Sequence, residues 1–255
     1  MTTARESILN GPCGKIQEGQ KGVVYLTTLF KNFCRYARDY FMYDTNSLIV
    51  GSDVLASRSG THCILNCESL TEVFLLMVKE DLGISDAQAV HVNHLPGFAT
   101  KARSECFDPR IVGNVRTAST RFSDVRRCVF TSHTFVGVAG KFYDPCMVSI
   151  YINKKDVQSW VLTGAKYVKG LNNPYDNVLF KIDGDPSKLL IKIDPNWSSA
   201  PRGFGESFLL IDTNDLNKRD YEQAFGEPKP GWQMRTKSVV ELLRAAGITV
   251  SALKV

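Results

Sequence analysis

Three side chains in this sequence do chemistry when they meet: Cys67 in "NCESL", His133 in "SHTFV" and Asp144 in "YDP". A thiolate attacks carbonyl carbon, and an imidazole takes up the proton that the thiol gives away. A carboxylate bonded to one ring nitrogen fixes the tautomer and leaves the other nitrogen for the nucleophile. Singly, each residue has an ordinary explanation. Cys67 fits a small buried hydrophobe, His133 a strand histidine satisfied by a carbonyl, and Asp144 a turn residue. The order Cys, His, Asp, each on the element its role requires, points to acyl transfer through a thioester.

The element under Cys67 is the clearest in the chain. Leu70, Val73, Phe74 and Met77 recur at helical spacing, and Gly83 stands where a left-handed residue ends a helix. Asn66 caps the start directly, or Ser69 with Glu72 forms a capping box further in. On either reading Cys67 lies at or just before the first turn, where backbone N–H groups and the helix dipole favour a thiolate. The same N–H groups suit a developing oxyanion. A side-chain oxyanion donor is open among Thr61, His62 and Asn66, with Asn66 the candidate adjoining the nucleophile. The other two residues need a hairpin. A two-residue turn at Ala139-Gly140 sets Val138 opposite Lys141 and Phe135 opposite Asp144, so that His133 shares a face with Asp144 as a diagonal neighbour. A three-residue turn would reverse the parity and separate them.

The stretch "NCESLTEVFLLMVKEDLGI" resembles the nucleophile helix of papain-like cysteine hydrolases, above all the transglutaminase-like branch and its relatives among bacterial toxins and effectors. "SHTFVGVAGKFYDP" is similar to the His strand and Asp-Pro strand of that group, although the connection between His and Asp is shorter here than is common there. The resemblance covers about residues 55–152. It implies Cys67 as nucleophile, His133 as general base and acid, and Asp144 as orienting carboxylate. It also implies an α+β papain-like fold with the Cys67 helix packed on an antiparallel sheet. The implied substrates are proteins, attacked at peptide bonds or Gln side chains by a protease, a deamidase or a transglutaminase, and a toxin or effector role belongs to the same resemblance.

The rest of the chain reads as support. A helical stripe runs from about Val23 to Phe41, "SLIVGSDVLA" reads as a strand or extended link, and "SRSGTHCILNC" as a loop. "AVHVNH" predicts a strand followed by a long irregular connection to Val115, and Arg126–Val138 and Lys141–Ile152 predict paired strands. Beyond these, "NVLFKI", "KLLIKI" and "ESFLLID" are β-rich, and Ser238 with Glu241 caps a last helix that Gly247 ends before a possible strand, "ITVSALKV". With no repeat and no linker, the expectation is one α+β domain over 1–255, with a catalytic core at 55–152 and a β-rich extension at 153–255 of unassigned role.

Composition narrows the classes. At 255 residues, with 44% hydrophobic and 22% charged, the chain can bury a sizeable core. No apolar run reaches membrane-spanning length, and the N-terminus lacks a signal peptide's apolar core, so the expected location is the cytoplasm, or outside the cell by a route without a cleavable signal. The 7 cysteines suit reduced thiols. The net charge is +5, and Arg116, Arg121, Arg126 and Arg127 lack interleaved aromatics, which argues against nucleic acid. No cofactor and no metal are expected. The rival is a non-catalytic or zinc-stabilised interaction domain using Cys63 and Cys67 with His91, His94 and Cys106. The acidic turns at Asp183, Asp185, Asp212 and Asp215 read as solvated loops. Trp160, Trp197 and Trp232 read as packing.

Overall fold

The apolar stripe Leu26, Leu29, Phe30, Phe33 and Ala37 is wholly buried on helix α2, Leu26–Tyr40, entered through a single 3₁₀ turn at Val23–Tyr25. The computed structural model describes residues 1–43, 49–100, 129–167, 177–193, 207–231 and 235–245. Ahead of α2 lies α1, Ala4–Leu9, held by a capping box between Thr3 and Glu6. The chain leaves α2 into β1, Phe41–Tyr43, which pairs in parallel with β2, Cys63–Leu65.

Two expectations for this region are corrected. "GSDVLA" is a helix, α3 (Gly51–Ala56), not a strand or link, because Val54 and Leu55 bury one face against the core. A short apolar run does not reveal its period. Gly51 permits the approach: a Cβ there would meet the Val73 amide and the Glu72 side chain at 3.1 Å. The loop expected through "SRSGTHCILNC" contains β2, whose partner strand has no recognisable pattern of its own.

Helix α4, Cys67–Glu80, buries Leu70, Val73, Phe74 and Met77 completely. Gly83 takes φ +67°, and the Ile84 amide bonds back to the Val78 carbonyl at 3.2 Å, closing the helix end through a left-handed residue. Phe30 and Phe33 of α2 meet Phe74 of α4 at ring separations of 5.5 and 5.2 Å.

The sheet is antiparallel and eight-stranded among the described residues, in the order β10-β9-β8-β7-β3-β4-β5-β6. Its strands are β3 (Gln88–Thr100), β4 (Val129–Val138), β5 (Lys141–Asp144), β6 (Ser149–Tyr151), β7 (Gln158–Tyr167), β8 (Asn177–Ile182), β9 (Asp185–Ile193) and β10 (Ser207–Asp212). The fold is therefore mixed α+β with helices on an antiparallel sheet. β3 continues through "LPGFAT" where an irregular connection was expected; a register shift between Asn93 and Phe98 absorbs Pro96, which has no amide to donate. Lys141–Ile152 is two strands rather than one. Pro145 interrupts it, and the Met147 amide closes the turn on Asp144 Oδ1 at 3.1 Å. Strand β7 and a helix α5, Lys218–Phe225, were not foreseen. The latter is short and polar, with Tyr221 and Ala224 as its buried residues, and is bounded by its Asn217 cap and by Gly226 at φ +72°.

The main core runs from Ala4 to Val157 and gathers the helices over β3–β6. A second cluster, Leu162, Phe180, Ile182 and Leu190, lies under the β7–β9 strands, with half-buried Trp160 against it. Ser238 and Glu241 cap a last helix, α6 (Val239–Ala245), as expected. Cys106, the Arg116–Arg127 group, Trp197, Trp232, Gly247 and "ITVSALKV" lie outside the described residues. No helix among the described residues is long and apolar enough to cross a membrane.

Candidate active site

The hairpin decides whether His133 and Asp144 meet. Val138 pairs with Lys141, Gly137 with Phe142 and Val136 with Tyr143, so the turn holds two residues. Ala139 at φ +49° and Gly140 at φ +71° give it the left-handed pair of a type I′ turn, whose twist matches the strands. Gly137 keeps β4 against β3, since a Cβ there would meet Val90 Cγ2 at 2.7 Å.

With that parity, His133 Nε2 lies 2.9 Å from Asp144 Oδ2, and neither side chain has any solvent exposure. The carboxylate is held from two further directions: the Tyr151 hydroxyl donates to Oδ2 at 3.3 Å, and the Met147 amide to Oδ1. The imidazole stacks on Phe130 at 4.5 Å between centroids, and Phe135 stands 6.0 Å away. Its orientation is thus fixed by an apolar wall and one charge-assisted bond.

Cys67 comes to this ring from α4. Asn66 is the N-cap: its Oδ1 accepts the Ser69 amide at 2.8 Å, while Ser69 Oγ accepts the Asn66 amide at 2.9 Å. Cys67 is therefore the first helical residue, in the zone where amide groups have no preceding carbonyl to bond. The alternative cap at Ser69 and Glu72 is not used. One turn on, Thr71 Oγ1 donates to the Thr134 carbonyl at 2.9 Å, tying α4 to β4 beside His133.

The second ring nitrogen, Nδ1, is buried and has no partner of normal hydrogen-bond geometry among the described residues. Cys67 nonetheless acts on the ring. Burial pushes the His133 pKa down, but the Asp144 charge, the Asp144 bond and then the Cys67 sulfur outweigh it, raising the value to about 10. Cys67 is thus close enough to the ring to favour its protonated form. Cys67, His133 and Asp144 assemble as one cluster.

Against protein-family models, curated proteins and solved structures, the chain has no match.

The remaining candidates separate. Asn66 spends its side-chain oxygen on the helix cap. His91, exposed on β3, bonds Thr134 Oγ1 through Nδ1 at 2.9 Å, and Cys63 is buried on β2 with its thiol pKa pushed upward by that burial. Among the described residues, these do not converge on a metal position with Cys67; the one converging group of His, Cys, Asp or Glu is His133, Asp144 and Cys146. Asp185 and Asp212 cap their own turns, accepting the Ser187 and Asn214 amides. Reading the sequence missed Cys146, Met147 and Tyr151. The only signal was Asp-Pro itself, which announces a turn whose following residues fold back onto the aspartate.

Proposed function

We propose that the chain is a cysteine-dependent acyl-transfer enzyme of papain-like, transglutaminase-like architecture, acting on amide bonds of protein substrates. What carries the reading is the fully buried His133, bonded through Nε2 to Asp144 and acted on from elsewhere by Cys67 at a helix N-terminus. A ring favoured in its protonated form beside a thiol suits a resting thiolate–imidazolium pair. The Cys67 thiolate attacks the amide carbonyl, first-turn amides with Asn66 receive the oxyanion, and the imidazolium gives its proton to the departing nitrogen. Water then releases the acyl group in a protease or deamidase, and an amine in a transglutaminase. A toxin or effector role is consistent with the resemblance of the Cys67 helix and His-Asp hairpin to that group.

A second reading, an interaction domain with an inert thiol, has one observation in its favour: Cys67 is only 9% exposed and the other two residues not at all. One experiment separates them. Native protein is alkylated with iodoacetamide across a pH series, and the modified site is mapped by mass spectrometry, for wild type and His133→Ala. Fast labelling of Cys67 at about pH 6 that the substitution removes supports the enzyme. Labelling of Cys67 only on unfolding refutes it.

A further inference from the structure

The chemistry above gives Cys146 no part, yet this residue is 1% exposed and lies in the turn that brings Met147 back to Asp144. One donor atom each from His133, Asp144 and Cys146 lie within 4.8 Å of one another, and His133 Nε2 and Asp144 Oδ2 are 2.9 Å apart. Imidazole nitrogen, carboxylate oxygen and thiolate sulfur are the three donor types that zinc takes. Donor atoms on one tetrahedral zinc stand roughly 3.5 Å apart, so the cluster closes on a metal with shifts of about 1 Å. Magnesium and calcium, which demand oxygen donors, do not suit it. Tyr151 and Met147 hold the carboxylate as the outer partners of a metal ligand would.

We propose that His133 Nε2, Asp144 Oδ2 and Cys146 Sγ form an inhibitory binding site for a thiophilic divalent cation of the zinc class. Binding expels two protons, that of the Cys146 thiol and the one joining His133 Nε2 to Asp144, and forms three metal–ligand bonds with no change of oxidation state. Metal binding requires only these three residues; its inhibitory effect rests on the triad reading. A ring carrying a cation on Nε2 and deprived of Asp144 is a weak base at Nδ1, so Cys67 loses its activation without being a ligand.

The test uses the reduced full-length chain and two probes. Zn²⁺ is titrated in competition with a chromophoric chelator, and Co²⁺ is added to read thiolate charge-transfer absorption, in wild type, Cys146→Ser, Cys146→Ala and Cys67→Ser. One zinc per chain is expected in wild type and in Cys67→Ser. Affinity should fall at least about tenfold in both Cys146 variants, the lower end of the loss that even an outer partner's removal brings. The cobalt–thiolate band should be present in wild type and lost with Cys146. Unchanged affinity in the Cys146 variants, lost binding in Cys67→Ser, or a wild type without zinc overturns the site. Should the Cys146 variants not fold, a wild-type cobalt complex without the thiolate band overturns it too. An unreactive Cys67 in a chain that still binds zinc through Cys146 would instead remove the triad reading and leave the metal site standing.

Discussion

Asp144→Asn tests the electrostatic core of the site with almost no change of volume. The Met147 amide is a fixed donor to Oδ1, so the asparagine oxygen must take that position and its NH₂ must face His133 Nε2. Tyr151 can turn its hydroxyl to accept, but the ring can accommodate an NH₂ only by presenting a lone pair at Nε2 and keeping its proton at Nδ1. That tautomer cannot accept a proton from Cys67, and the thiol returns to the ordinary pKa of about 8.5, with roughly 0.3% thiolate at pH 6. A fully ionised wild-type thiol has about 300 times more thiolate, which its lower intrinsic nucleophilicity reduces to a rate advantage of roughly tenfold. We expect the iodoacetamide rate of Cys67 to drop by about that factor at pH 6, the two rates to cross at about pH 7, and the more basic thiolate of the variant to be the faster by about pH 9. Stability in urea should fall by about 1.5–3 kcal/mol for the lost charge-assisted bond. Asp144→Ala, which strands the buried ring and two donors, should cost about 3–5 kcal/mol. Equal labelling of wild type and Asp144→Asn at pH 6 would refute the argument, as would an alanine variant that is nearly as stable as wild type.

Three further outcomes follow from the same geometry. Thr71→Val removes the bond to the Thr134 carbonyl at near-constant volume, so unfolding in urea should register a loss of about 0.5–1.5 kcal/mol, with slower Cys67 labelling as α4 loosens from β4; no change in either would disconnect this bond from the site. Since the folded pKa of His133 lies above the unfolded value of 6.5, folding binds an extra proton, and the stability it contributes is complete below about pH 6.5 and lost as pH rises through about 10. The stability difference between wild type and His133→Gln, measured in chelator-containing buffer, should shrink over that window; a flat difference would contradict the assigned direction. Ala139→Asn replaces a residue at φ +49° by one that tolerates the left-handed region, and should stabilise by up to about 1 kcal/mol in urea unfolding, while a loss would mean that the turn differs from type I′.

Much of the positioning was legible because it is local. The stripe on α4 and the parity of the Ala139-Gly140 turn depend on periods of 3.6 and 2 that the residues write directly into the chain, so Cys67 at a helix start and His133 facing Asp144 follow from counting. What was hidden depends on partners far away in sequence. β1 and β2 are three-residue strands that exist only by pairing with each other, and α3 is helical because Val54 and Leu55 find the core. The break at Pro145 was legible in principle, but reading Lys141–Ile152 as one strand concealed that Cys146, Met147 and Tyr151 fold back onto the carboxylate. The clamp from Thr71 to Thr134 left no trace, because a threonine on a helix carries no mark of the carbonyl it will meet.

The two-residue turn has a consequence for the order in which the site comes into being. His133 and Asp144 are 11 positions apart on one hairpin, whereas the bond that fastens the Cys67 helix to the His133 strand spans 63. Hairpins close in about 1–10 μs, and contacts of long sequence separation wait on slower loop closure. His133 and Asp144 are therefore expected to meet early, and Cys67 to join them later. On the proposed function, a chain still folding, or caught partly unfolded, would carry an ordinary thiol, and a reactive one would be born only with the docking of helix on sheet.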